Sequence, residues 1–466
     1  MLVNQRLLII ILVINAVLLL LLGNRGPLSS RETIGLYAMA NIAENKQVAL
    51  PSSFERYPEA IKTANGKCLA PQPLWYQLGG SISYKISKVF FGVGMSWDGM
   101  KRYYRVASYL GNLIASTILI LVFSQAIFVK GIKGREYLLL ILPLVFFSLA
   151  FTYGMVLNEH LFVAAVTMWG LNFINGGVYC INRDLPYTKS FMLAGMLFGL
   201  AGGLSLLVIG FAIGFLIMFV TQKERKFQKA AVDMLKGSLV PVVLTIIFVV
   251  IYSHQCGAYV PPWPEIARME GVQPGEALRY LFHSTFGLNG FFIYAPLSLI
   301  GIASLVKRLN HFQRLTERRK KLDYYARGQA LFAWSVYWGG FIALAIFWIT
   351  AVINGIPDKF NPSHLQMVEF TMGSDKTYLP SNLRQFGTPS LLFFLPVLHY
   401  FNLHIFREKP FKGFAVYYHE VVRIGALIAW VGLASPEGGY LVPFIWALNK
   451  IAVFMTDLFP QGTLFW

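Results

Sequence analysis

Apolar stretches long enough, or nearly so, to cross the ~30 Å hydrocarbon core of a bilayer recur along the whole chain. In lipid the backbone polar groups of a segment must be satisfied within it, so runs of this length fold as helices. The windows fall near 7–22, 106–129, 137–156, 161–181, 238–253, 289–306, 330–353, 388–406, 421–435 and 441–459. Residues 190–220, "SFMLAGMLFGLAGGLSLLVIGFAIGFLIMFV", are too long for one untilted helix and carry a Gly-rich break at Gly199–Gly203. That segment predicts two short helices meeting at a tight turn. The expected fold is all-α: one polytopic membrane domain over 1–466 with about twelve crossings. Composition agrees, because only 13% of the 466 residues are charged and 56% are hydrophobic. Soluble domains carry roughly a quarter charged residues. The first run follows Arg6 and precedes "GNRGPLSS", which has no small-x-small cleavage site, so it reads as an uncleaved span.

A net charge of +18 raises nucleic acid as a partner until the charges are located. With the N-terminus inside, the inner segments 1–6, 130–136, 182–189, 221–237, 307–329 and 407–423 hold 1, 3, 2, 5, 8 and 4 Lys and Arg. The outer connections after the first, 157–160, 203–206, 254–288, 354–387 and 436–440, hold 0, 0, 2, 3 and 0. The first outer loop, 23–105, holds eleven, but long loops cross largely regardless of charge. This bias predicts a multi-pass inner (plasma) membrane protein with a cytoplasmic N-terminus, and it disposes of nucleic acid. The run "KRLNHFQRLTERRKKLDYYAR" reads as a cytoplasmic anchor beside anionic membrane lipids.

Three outer segments are substantial, 23–105, 254–288 and 354–387, so function is sought at the outer surface. In the first, "SSRETIGLYAMANIAENK" opens with the capping-box pattern Ser29-x-x-Glu32 and predicts a short amphipathic helix lying on the membrane. Then "NGKCLAPQPLWYQLGGSISYKISKVFF" breaks at Pro71 and Pro73 and offers Trp75, Tyr76 and Tyr84 to the headgroup region. The second outer turn carries Asn158, Glu159 and His160 between two uncharged runs. An acid at the mouth of a helical bundle is a functional hypothesis by default, here facing an aqueous cavity roofed by the larger loops. Cys68 and Cys256 both lie in outer loops and are candidates for a disulfide, while Cys180 lies near the inner end of its span. The three cysteines show no CxxC or metal-type spacing.

This layout resembles the GT-C membrane glycosyltransferases, which take sugars from polyprenyl-phosphate carriers at the outer face of a membrane. "RETIGLYAMANIAENK" stands where that superfamily has its first acidic motif, and "NGKCLAPQPLWYQLGG" is similar to its Gly–Lys and Pro-rich segment. "NEHLFVAAVTMW" takes the place of the acidic motif that opens span four, and "GMLFGLAGGLSLLVIGFAIGFL" resembles its broken helical pair. "FHSTFGLNGFFIYAPLSLIG" and "LRQFGTPSLLFFLPVL" resemble segments of uncharacterised bacterial members. Members commonly show Asp or Asp-Glu in the first loop, whereas this chain has Glu32 after Arg31.

The resemblance implies a donor that is a polyprenyl-phosphate sugar, and a lipid or glycan acceptor of the cell envelope. Inverting transfer needs a carboxylate to deprotonate the acceptor hydroxyl and cationic or metal help for the leaving phosphate. Glu32 and Glu159 are then the candidate catalytic residues, Glu32 as base and Glu159 orienting acceptor or metal. Lys85, Arg102, Arg105, Arg268, Lys376 and Arg384 are the candidate phosphate ligands, with Arg favoured for bidentate contact. His160, His283 and His364 are candidate assisting groups, as is His254, and a divalent metal ion is a candidate cofactor without an assigned ligand set. Each residue also has a structural reading. Glu32 fits the capping box, Arg102 and Arg105 fit interfacial anchors, and His283 fits a hydrogen-bonded loop residue. Three rival functions remain: a transporter or flippase of lipid-linked glycans, an O-antigen polymerase or ligase, and a noncatalytic partner in a glycan assembly complex. Uncharged spans weigh against a transporter, since transporters place polar groups at the bilayer midplane.

Overall fold

The computed structural model describes residues 2–23, 26–27, 30–57, 60–63, 65–263, 273–286, 291–317, 324–354, 367–372, 375–380, 389–406, 417–424 and 426. Among these, five helices are long and apolar enough to cross a membrane, which makes the chain an all-α membrane protein. They belong to α1 (Leu2–Leu22), α4 (Trp97–Val129), α7 (His160–Asn182), α10 (Arg225–Cys256) and α14 (Tyr324–Asn354). Between them stand α2 (Ser30–Asn45), α3 (Leu74–Phe91), α5 (Arg135–Phe146), α6 (Leu149–Gly154), α8 (Thr188–Leu204), α9 (Leu206–Val220), α11 (Pro274–Thr285), α12 (Phe291–Tyr294) and α13 (Pro296–Glu317). A buried helix, α15 (Phe394–Phe401), follows. Two hairpins, β1 (Ile61–Lys62) with β2 (Cys68–Leu69) and β3 (Met367–Met372) with β4 (Asp375–Pro380), are the strands described.

Several spans depart from the lengths read in the sequence, each for a local reason. The predicted span 137–156 is two pieces, α5 and α6, separated at Phe147 and Ser148. Pro143 has no N–H for the Leu139 carbonyl four residues back. The Tyr418 hydroxyl donates to that carbonyl instead, at 2.8 Å. Ser148 then restarts the chain: its Oγ accepts from Ala150 N–H and donates to the Leu144 carbonyl. The 190–220 segment is two helices as expected, but they meet at Ser205, past the Gly cluster. The 289–306 window is divided before Pro296, and of 388–406 the helix α15 has only eight residues, all buried. The windows 441–459 and most of 421–435 lie outside the described residues.

Close packing in the bundle uses small residues, as expected where lipid supplies no hydrophobic drive between helices. A methyl on Gly195 of α8 would lie 1.9 Å from the Met234 carbonyl oxygen of α10, and one on Gly237 would lie 1.9 Å from that of Met192. Amide side chains fasten other pairs: Asn15 of α1 donates to Ser116 Oγ of α4 at 2.8 Å, and Asn172 of α7 donates to the Val122 carbonyl at 2.7 Å. At one end of the bundle sit the basic connections, tied by ion pairs of Lys226 with Asp184 and Arg327 with Glu224.

The other end carries the first loop, folded into its own small core around α2, α3 and the start of α4. Here the sequence expectation of a surface helix over the Ser29–Glu32 motif fails. Thr33 through Ala43 of α2 are all buried, because small and apolar residues occupy every face of that helix. The loop is pinned to the spans by Trp75, which donates to Thr245 Oγ1 at 2.7 Å and packs edge-on against Phe248. Trp263 donates to the Gly202 carbonyl near the end of α8, and Leu74 N–H to the Pro262 carbonyl. Asn65 Nδ2 donates to the Cys256 carbonyl at 2.8 Å. The two loops that the Cys68–Cys256 pairing would join are therefore docked together, yet both thiols are free and buried. Burial, with Glu55 nearby, pushes the Cys68 thiol up and so away from the reactive thiolate.

Candidate functional site

The turn before α7 is built by two asparagines. Asn112, buried on α4, donates to the carbonyls of Gly154 and Val156, both at 2.8 Å. Asn158 donates to the Tyr153 and Val156 carbonyls, and its Oδ1 accepts the backbone N–H groups of His160 and Leu161. Asn158 is thus the side-chain cap of α7 and fixes the residue that follows it. Glu159 is consequently aimed at the first loop, where Arg31 Nη2 meets its Oε1 at 3.3 Å. His160 Nε2 stands 3.8 Å from the same oxygen.

Glu159 is 3% exposed, so it faces protein and not the aqueous cavity expected from sequence. Burial pushes its carboxyl up, but His160, Arg31 and the hydrogen bonds outweigh that and hold it below the ordinary carboxylate range. It is therefore an anion at neutral pH, and its pairing holds a guanidinium at this end of the bundle. Arg31 is fixed from a second direction, since Gln72 Nε2 donates to its backbone carbonyl at 2.6 Å. Gln72 fits there because residue 35 is Gly: a Cβ at that position would come within 2.5 Å of the amide.

Glu32, the next residue, is partly exposed. Its Oε1 accepts the Tyr104 hydroxyl at 3.2 Å, and that same hydroxyl accepts the Leu157 N–H at 3.3 Å. Tyr104 thus bridges the two acidic segments. Ser29, the other half of the capping box, lies outside the described residues. Tyr76, at the start of α3, completes the group. Its hydroxyl oxygen is buried without a hydrogen-bond partner, and burial, with the charges of Glu159 and Glu32, holds the phenol protonated. The result is one cluster: a partly open carboxylate, a buried carboxylate, a guanidinium, an imidazole and two phenols.

Glu32 is linked through Tyr104 to the turn that carries Glu159 and His160, but Glu159 is buried and does not line a shared aqueous cavity. Lys85 is exposed on α3, and Arg102 and Arg105 are exposed on the first turns of α4. His254 is exposed at the end of α10. His283 lies on α11 and Lys376 on β4, with side chains outside the described set; Arg268, Arg384 and His364 lie wholly outside it. Arg31, Tyr76 and Tyr104 escaped the sequence reading as site residues. Arg31 did leave a signal: a cation in the first turn of a helix opposes the helix dipole and needs an external partner. For a metal ion the described residues gather no group of three His, Cys, Asp or Glu side chains. Comparison with known proteins adds no family assignment, since no family model, curated protein or solved structure matches this chain.

Proposed function

We propose that this chain is a GT-C-like glycosyltransferase of the inner membrane, acting at the outer face on a polyprenyl-phosphate sugar, with its N-terminus in the cytoplasm. The observation that supports the reading is the meeting of Glu32 with the Arg31–Glu159–His160 group at the first-loop end. Two segments 128 positions apart contribute, and both are the ones that the motif resemblance marks.

The roles follow from exposure and charge. Glu32, partly exposed and held by Tyr104, is the base: it takes the proton of the acceptor hydroxyl as that oxygen attacks the anomeric carbon. The bond from that carbon to the phosphate oxygen breaks, and polyprenyl phosphate leaves with the electron pair. Arg31, with His160 beside it, faces the developing phosphate charge. Glu159 is not a second base in this scheme; it orients Arg31. No step is routed through a metal ion, because the described donors do not converge as a ligand set. The acceptor is a lipid or glycan whose nucleophile is a hydroxyl.

The burial of Glu159 also favours a second reading, a noncatalytic membrane partner in which the cluster merely latches the first loop to the bundle. Photolabelling separates the two. A polyprenyl-phosphate sugar carrying a diazirine on the first isoprene unit should label peptides containing Arg31 or His160, with competition by the unmodified lipid. Label confined to the 307–329 end, or insensitive to competition, contradicts the transferase reading.

A further inference from the structure

Two helices at the first-loop end carry apolar ridges that stay largely exposed. On α3, Ile82, Ile86, Val89 and Phe90 are between 49 and 79% exposed. The opposite side of that helix, including Leu74, Ser81 and Tyr84, is buried. On α11 Leu278 and Phe282, and at its C-cap Phe286, follow one another at four-residue spacing and are 52–60% exposed. Its other side packs inward, with Ala277 and Ser284 buried and Tyr280 stacked on Phe347 of α14 at 5.6 Å. The sequence reading treated 254–288 only as a loop, so the helix and its ridge are new information.

We propose that α3 and α11 are interfacial helices, embedded lengthwise in the lipid leaflet on the first-loop side. Depth carries the choice of lipid over protein. Trp75, at the start of α3, packs on Phe248 of α10, and nearer the end of that span Val250 and Ile251 are still exposed apolar residues. Tyr280 likewise meets α14 at Phe347, and Ile349 and Ile353 beyond it are exposed. Both helices therefore leave the bundle at a level where the spans themselves face hydrocarbon, and their ridges continue that surface. Amphipathic helices bury such a face at the headgroup–acyl boundary. Exposed Lys85 on α3, with Arg102 and Arg105 on α4, supplies the cationic fringe that meets anionic headgroups. The two helices come from different loops, so the leaflet is gripped at two places around the same end of the bundle.

The test uses the unmodified full chain in nanodiscs of phosphatidylglycerol and phosphatidylcholine, irradiated with a phospholipid bearing a diazirine high on its acyl chain. Peptides covering 82–91 and 278–286 should carry label, and the peptide around exposed Gln47 should not. Absence of label from either helix overturns the proposal for that helix. Nitroxides at 86, 90, 282 and 286, in a chain with Cys68, Cys180 and Cys256 changed to Ala, give an independent reading. Oxygen should collide with them more often than a water-soluble nickel chelate does. The reverse order, which means water, or exclusion of both reagents, which means a second copy or another protein, refutes it.

Discussion

Removing Arg31 while keeping Glu159 isolates the electrostatics at the centre of the site. In Arg31→Met the apolar stem survives, but Glu159, whose side chain is 5% exposed, loses the cation at 3.3 Å. Breaking a fully buried pair costs about 3–5 kcal/mol. The Arg31 side chain is 21% exposed and His160 remains 3.8 Å away, so solvent and imidazole reduce that penalty. A loss of about 2–3 kcal/mol is expected. Glu159→Gln should cost less, because a neutral amide is cheaper to bury. The double variant should be more stable than Arg31→Met alone, with a coupling of about 1–3 kcal/mol. Sodium dodecyl sulfate titration of the purified protein in mixed micelles measures all four corners of this cycle. The sign of the pH dependence follows from the lowered pKa of Glu159. A depressed carboxylate pKa contributes stability above the unfolded value, roughly 4, which is lost as pH falls through the folded value. The gap between parent and Arg31→Met should therefore be present from about pH 5 upward in the assay and close only below about pH 4. Additive losses, or a gap unchanged in acid, would refute the pairing as the organiser of the site.

Other substitutions probe the frame around it. Tyr418→Phe strands the Leu139 carbonyl and should cost about 1–3 kcal/mol in the same titration. In a Pro143→Ala background the same change should cost less, because the substituted alanine restores the missing N–H. Gly195→Ala and Gly237→Ala each force a methyl toward a backbone carbonyl and should lower stability by about 1–3 kcal/mol, whereas Gly79→Ala, with open space around it, should not. Peptide mapping without reductant should find Cys68 and Cys256 as two free thiols; a Cys68–Cys256 disulfide would contradict the separate, buried thiols of this fold.

What the sequence carried was mainly what run length carries. Leu7–Leu22 or the apolar part of α10 must be helical wherever they sit, because lipid leaves the backbone no alternative. The break of α5 from α6 was not legible, since Pro143 alone permits a kinked continuous helix. The observed interruption depends on Ser148 and on Tyr418, which arrives from 279 positions further along the chain. The burial of α2 was similarly hidden: a Ser-x-x-Glu start followed by small residues fits a surface helix until partners are known. At the site, Glu32 and Glu159 stood out because acids beside apolar runs are costly. Tyr76 and Tyr104 did not, because a tyrosine near a membrane is ordinarily an interfacial anchor. Lys85, Arg102 and Arg105 looked available as ligands of the cluster, and the fold leaves them exposed on α3 and α4. Arg31, which is part of the cluster, was masked by its neighbour in the helix-start motif.

The most direct measurement is transfer from a polyprenyl-phosphate sugar in membranes holding equal amounts of parent, Glu32→Gln and Glu159→Gln protein. Gln keeps the shape of the side chain and its hydrogen bond from Tyr104 but removes the base, so Glu32→Gln should lose about 10²–10⁴-fold in rate. Its stability should stay at the parental level. Glu159→Gln should lose transfer together with stability, because Arg31 is no longer held. Near-parental transfer in both variants, with the parent active, would contradict the catalytic assignment and leave the cluster as a latch between loop and bundle.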